Sequence, residues 1–186
     1  PINLDAVFEV IDFPCRSNGE FVAPPQLNTF SVVNIAEAPH HWQQAAELSV
    51  REWKEIFSDD SVQTYVDLYG LTGSYSGRFA ETHIATNKAD ELIGMATLVD
   101  DDELPHATEP GPWLAAVLTL SDHRSLGVAS ALIHQIIQRA HALGHANLYL
   151  YTSDQQEWYA KKGWIPARET ELNGIAHTVM RLPLQI

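Results

Sequence analysis

Apolar residues recur along the chain with two periods, one of two residues and one of three to four, and these periods divide it into strands and helices. Val7, Phe8, Val10 and Ile11 read as a short strand, after which Pro14, Gly19, Pro24 and Pro25 break any regular element, so residues 1–28 form an extended or irregular extension. Thr29 to Ile35 (TFSVVNI) alternates apolar and polar as a strand does. Pro39 stands where a first-turn proline opens a helix. Behind it Trp42, Ala45, Ala46, Ser49, Val50, Trp53 and Phe57 make one apolar face that runs to about residue 57. Asp60 or Ser61 then caps a shorter helix carrying Val62, Tyr65, Val66 and Tyr69.

Gly70 to Gly77 (GLTGSYSG) reads as a flexible loop that fits neither G-x-G-x-x-G nor a nucleophile elbow, because Tyr75 occupies the place of the serine. Strands follow near 79–86 and 91–99, joined by Asn87-Lys88-Ala89-Asp90. An acidic, proline-rich loop from Asp100 to Pro112 leads into the apolar run Trp113 to Leu120, a buried strand. The next helix carries Val128, Leu132, Ile136, Ile137, Ala140 and Leu143 on one face, with Gly144 as its C-terminal stop. Ala146 to Thr152 is a strand, and Asp154 to Lys162 a short helix with Ser153 and Gln156 at capping-box spacing. Strands near 164–168 and 176–183 flank the turn Leu172-Asn173-Gly174. There is no internal repeat, and the order of elements is that of one mixed α/β domain over residues 29–186.

Composition narrows the class. Of 186 residues 45% are apolar and 19% charged, which supports a globular core. The longest apolar run, Trp113 to Leu118, is far shorter than the roughly 20 residues of a membrane helix. Cys15 is the single cysteine, so neither an internal disulfide nor a multi-cysteine zinc site is available. With no signal-like start and no N-x-Ser/Thr sequon, the expected location is cytoplasmic. The net charge of −13 argues against nucleic acid and anionic membranes as partners. That charge is uneven: residues 1–123 hold 5 basic and 20 acidic side chains, residues 124–186 hold 6 and 4. No Lys or Arg occurs from Ala89 to His123. The front half therefore suits a cationic ligand and the back half tolerates an anionic one.

The strongest candidate for chemistry is the strand, loop and helix from Trp113 to Leu143. A helix N-terminus presents unpaired N–H groups and partial positive charge to an anion. Gly127 allows close backbone approach and Arg124 adds a charged donor, so the loop reads as a phosphate-binding turn. A Walker lysine is absent.

Arg124-x-x-Gly127-x-Ala129 after an apolar strand resembles the [RQ]-x-x-G-x-[GA] motif of the GNAT superfamily of N-acetyltransferases. Leu148 to Trp164 (LYLYTSDQQEWYAKKGW) is similar to the family's next strand and helix, in which a tyrosine precedes a basic-Gly-aromatic step. The resemblance covers most of the chain and implies the GNAT fold, a central mixed and mostly antiparallel sheet flanked by helices. It further implies acetyl-coenzyme A as co-substrate, with Val117, Leu118 and Thr119 pairing with its pantetheine arm and Arg124, Ser125, Leu126, Gly127, Val128, Ala129 and Ser130 around its pyrophosphate. Thr152 or Asp154 falls where relatives carry an Asn toward the cofactor arm, and this chain lacks that Asn. Tyr159 matches the tyrosine that protonates the departing thiolate.

Relatives place a glutamate base on the strand before the phosphate loop, where this chain reads Trp113-Leu114-Ala115-Ala116. Asp100 to Glu103, His106, Glu109 and His83 remain as candidates, none singled out. No metal is expected: Gly144 separates His141 from His145, and His40-His41 opens a helix without a ligand role. The five tryptophans read as core.

The expected activity is acetyl transfer to a primary amine, preferably of a cationic small molecule, by direct attack in a ternary complex. A non-catalytic acyl-coenzyme A module, a peptide or protein N-terminal acetyltransferase, and an interaction protein exchanging residues 1–28 with a partner are the alternatives, and a homodimer stays open. Cofactor binding without turnover marks the first of these. Loss of an oligomer when the extension is deleted marks the last.

Overall fold

The computed structural model describes residues 30–70 and 79–184; the readings at Val7–Ile11, at Cys15 and in the loop that follows Gly70 lie outside them. Strands β1 (Phe30–Asn34), β2 (Ala80–Asn87), β3 (Leu92–Val99), β4 (Trp113–Thr119), β5 (Asn147–Thr152), β6 (Ile165–Leu172) and β7 (Ile175–Pro183) form one sheet in the order β1-β2-β3-β4-β5-β7-β6. Only β4 and β5 run parallel; every other neighbouring pair is antiparallel. Helices α1 (Trp42–Trp53), α2 (Val62–Gly70), α3 (Val128–Ala142) and α4 (Gln156–Ala160) cover the sheet. This is the mixed, mostly antiparallel sheet flanked by helices that the resemblance implies.

Alternation along the strands separates two cores. On one face α1 and α2 bury Ala45, Ala46, Tyr65 and Tyr69 against Ile84, Leu92, Met95 and Leu118. On the other, Leu132, Ile133 and Ile136 of α3 pack with Tyr159 and Trp164 against Ala85, Leu148, Leu150 and Met180. β5 divides its side chains between the faces: Leu148 and Leu150 meet α3, Tyr149 and Tyr151 the opposite side.

Ends are set by local chemistry. Ser61 and Thr64 cap α2 reciprocally, the Thr64 N–H donating to Ser61 Oγ (3.2 Å) and the Ser61 N–H to Thr64 Oγ1 (3.1 Å). At the end of α3 the Gly144 and His145 N–H groups bond the His141 and Ala140 carbonyls (2.9 and 3.1 Å), with Gly144 left-handed at φ 83°. α1 closes at Trp53, short of Phe57, and Pro39–His41 precedes it as a 3₁₀ turn. β6 extends to Leu172, beyond the expected 168, because Asn173 and Gly174 both adopt positive φ (52° and 79°) and join β6 to β7 as a tight hairpin. Of the tryptophans, Trp113 and Trp164 are fully buried while Trp42, Trp53 and Trp158 pack only partly, at the core margins. Among the described residues no helix is long and apolar enough to cross a membrane.

Candidate functional site

β4 and β5 touch at one end and part at the other. Their register holds only at Trp113↔Tyr149, where the Tyr149 N–H donates to the Pro112 carbonyl (3.0 Å). Ala115, Ala116 and Val117 beyond it are half-exposed in a strand whose ends are buried. On its other edge β4 bulges against β3 between Met95 and Thr97, and Ala116 takes φ 52°. A bulge of this kind re-aims backbone N–H and C=O groups out of the ladder, here beside the parted edge. At the end of the strand Thr119 Oγ1 is buried with no hydrogen-bond partner.

The chain leaves β4 through a 3₁₀ turn, Ser121–His123, and enters α3 through Arg124 to Gly127. Ser125 (φ 62°) and Gly127 (φ 82°) are both left-handed, and no side chain caps the helix. The Ala131 N–H makes the helix's first bond, to the Gly127 carbonyl (2.9 Å), so the amides of Val128, Ala129 and Ser130 have no acceptor within the helix. Arg124 Nε donates to the Thr119 carbonyl (3.3 Å), which holds the guanidinium at the mouth of the parted strands. Leu126 is 53% exposed beside it. The structure thus brings Val117 to Thr119 and Arg124 to Ser130 together at one end of the opening.

Lys162 joins this group, a role that the sequence did not assign to it. Its Nζ donates to Ser130 Oγ (3.2 Å) and stands 4.3 Å from the Trp158 ring centre. Burial lowers its ammonium to about 8. The signal for it was the basic-Gly-aromatic step Lys162-Gly163-Trp164.

The stretch after β5 departs from expectation in its cap. α4 begins at Gln156, and Thr152 rather than Ser153 organises the turn: the Gln155 N–H donates to Thr152 Oγ1 (3.1 Å). Gln156 Nε2 bonds the Ser153 carbonyl (3.2 Å) and Thr178 Oγ1 (3.3 Å) instead of reaching a capping amide. The Thr152 hydroxyl accepts this one bond, and Asp154 is exposed. Tyr159 is buried between Trp158 and Trp164, with ring centres 4.9 and 5.6 Å away, both edge-on. The Trp164 N–H closes on the Tyr159 carbonyl (3.2 Å) and fixes the turn behind it. Burial first, and the charge of Asp154 second, push the Tyr159 hydroxyl well above the ordinary range, so it keeps its proton.

On the α1/α2 face the β3–β4 loop lies over the sheet through Leu104, which packs with Trp113, Tyr149 and Val179. Trp113, Tyr149, Tyr151 and His177 form a continuous aromatic patch, Trp113–Tyr149 at 5.6 Å, Trp113–Tyr151 at 6.2 Å and Tyr151–His177 at 5.6 Å. The Asn173 amide donates to the Ile56 carbonyl (2.7 Å), hooking the β6–β7 turn onto the α1–α2 connection.

The candidate bases separate clearly. Glu109 is taken by Arg168, with two bonds of 2.8 and 3.0 Å that hold its carboxyl below the usual range. His83 lies on the α3 face against buried Glu81 (3.0 Å), which also accepts from Arg139 Nε (2.7 Å). Burial would raise Glu81, but those two partners outweigh it and lower it. Asp102 is half-buried as a residue, yet its carboxyl is enclosed: burial above all, then the charges of Asp101 and Glu103, push it up to about 8. Its charge is felt at both Tyr65 and Tyr151.

A mixed sheet whose parallel pair splits beside a glycine-bearing helix N-terminus is the architecture that the GNAT resemblance implies. The Acetyltransferase (GNAT) family model matches residues 42–164, and the chain belongs to that family. No curated protein matches the chain in sequence. In structure it is similar to an aminoglycoside 6'-N-acetyltransferase complexed with coenzyme A (TM-score 0.64, 15% identity, 84% of this chain and 98% of that one). It is similar also to a GNAT-family acetyltransferase from Staphylococcus aureus Mu50 (0.61, 16%, 84% and 99%). A third is N-acetylglutamate synthase from Neisseria gonorrhoeae, complexed with coenzyme A and N-acetyl-glutamate (0.59, 19%, 84% and 35%). At these identities the likeness is one of fold.

Proposed function

We propose that the chain transfers the acetyl group of acetyl-coenzyme A to a primary amine of a small cationic molecule, by direct attack within a ternary complex. The observation that carries this reading is the parting of β4 from β5 at the uncapped N-terminus of α3. Coenzyme A suits these groups on two counts. Its diphosphate matches Arg124, Lys162 and the amides of Val128 to Ser130, and its extended amide-bearing arm matches the backbone of Val117 to Thr119. The unpartnered Thr119 Oγ1 offers that arm a hydrogen bond. Thr152, whose hydroxyl accepts the Gln155 N–H, retains its O–H for the cofactor arm, and Asp154 meets solvent.

In the reaction the amine nitrogen bonds to the thioester carbonyl carbon and the C–S bond breaks. Asp102 takes a proton from the ammonium form of the acceptor, directly or through water, before the attack; Tyr159 then gives its hydroxyl proton to the departing sulfur, and the second proton shed by the nitrogen as it becomes the amide restores the Tyr159 hydroxyl. A positioned donor or acceptor of this type typically contributes about 10²–10⁴-fold in rate. Asp100, Asp101 and Glu103 around Asp102, with no Lys or Arg from Ala89 to His123, favour a cationic acceptor, and the half-buried Tyr151 ring offers it an aromatic face.

Calorimetric titration with acetyl-coenzyme A tests the reading. Saturable micromolar binding is expected for the parent chain and none for Arg124→Ala combined with Gly127→Pro. A well-folded parent that binds nothing removes the acyl-transfer reading. Binding without turnover across an amine panel replaces it with an acyl-coenzyme A module.

A further inference from the structure

We propose that His40, His41 and Asp90 form a binding site for a zinc-class divalent cation, clasping the start of α1 to the β2–β3 turn. The two imidazoles come from the 3₁₀ turn that precedes α1, and the carboxylate comes from a hairpin some fifty residues later. His40 Nε2 lies 2.9 Å from Asp90 Oδ2 and His41 Nε2 lies 3.2 Å from Asp90 Oδ1. Neighbouring residues on a helical turn point about 100° apart. Here the two rings nevertheless stand 4.2 Å apart and converge on one carboxylate.

The spacing suits an ion. Zinc–ligand bonds of about 2.0–2.1 Å put adjacent ligand atoms of a tetrahedron about 3.3 Å apart. The nitrogen–oxygen separations are already at that edge, and the potential ligand atoms all lie within 4.8 Å of one another. The remaining closure falls to His40 and Asp90, whose side chains are 59% and 66% exposed. Solvent reaches the same side and completes the coordination.

Both segments are held before any ion arrives. The His41 side chain is buried, and the 3₁₀ turn begins at Pro39. In the hairpin the Asn87 side-chain carbonyl accepts from the Ala89 and Glu91 N–H groups (2.9 and 3.0 Å), while Asp90 sits at φ 60° with its own N–H on the Asn87 carbonyl (3.0 Å). Two imidazoles and one carboxylate suit zinc, nickel or copper rather than magnesium or calcium, which prefer oxygen. Each Nε2 now faces a carboxylate oxygen; on coordination its lone pair turns to the metal, so binding competes with protons.

Titration of the full chain with zinc chloride tests this. One equivalent is expected to bind and to raise Tm, with affinity falling at least tenfold in both His40→Ala and Asp90→Asn. Magnesium chloride is expected to give no binding. His40 and Asp90 are chosen because both are exposed, so the variants keep the fold and their metal-free Tm reports it. Absence of saturable zinc binding overturns the proposal. So does binding that survives both substitutions, which would place the ion on other histidines.

Discussion

Single residues decide the chemistry here through their surroundings rather than their type. Asp102 is one of four consecutive acidic residues, yet its enclosed carboxyl stands near 8 and stays protonated at neutral pH. If it is the base, kcat/KM rises with pH up to about 8, and Asp102→Asn removes that rise while leaving acetyl-coenzyme A affinity in place; a pH–rate profile checks it. Lys162 gives the opposite sign. With its ammonium near 8 in the free protein, the charge that attracts a diphosphate is present below that pH and lost above it. Acetyl-coenzyme A affinity should therefore fall as pH rises through 8 to 9, and Lys162→Ala should flatten that slope and weaken binding roughly three- to tenfold at pH 7, as titrations at several pH values would show. Neither value was legible from sequence. Asp102 could be placed in an acidic run and Lys162 at a helix end, but burial is a property of what other segments bring over them.

At the level of elements, periodicity located every strand and helix of the described residues, because each carries an apolar face long enough to show its period. Boundaries failed where a local bond outweighed the period. Thr152 displaced Ser153 as the organiser before α4, and the Asn173-Gly174 turn carried β6 four residues further than alternation indicated. The parting of β4 from β5 left no trace in the sequence at all, since it arises from pairing at only one register. Gly94 shows how tightly its neighbourhood is packed. A Cβ there would stand 2.8 Å from both the Leu118 carbonyl oxygen and Val128 Cγ1. Gly94→Ala should cost about 1–3 kcal/mol of stability by overpacking and, because both contacts flank the anion loop, should also weaken acetyl-coenzyme A binding. Denaturant unfolding and calorimetry together separate the two effects.

Across the whole molecule, charge is sorted by role. The helix N-terminus gathers Arg124 and Lys162 from the basic third of the chain, while the acidic run Asp100 to Glu103 leads to Leu104, which packs with Trp113 and Tyr149. Neutralising Asp100, Asp101 and Glu103 together should raise KM for a cationic amine severalfold with little change in kcat, and the difference should shrink at high ionic strength, where exposed charges are screened. Steady-state kinetics at two salt concentrations would show it. This sorting was visible as an imbalance along the sequence, whereas the face each block occupies needed the fold.

The divided sheet has one more consequence. Strand edges normally lie at the perimeter of a sheet, where they invite other molecules to add a strand. Here the inner edges of β4 and β5, beyond Trp113 and Tyr149, look at each other across a gap. Another sheet meets the flanking strands before it reaches them, and the coenzyme A arm proposed above is a single slender chain. On the proposed reading the protein keeps its stickiest backbone for a guest thin enough to lie between two of its own strands.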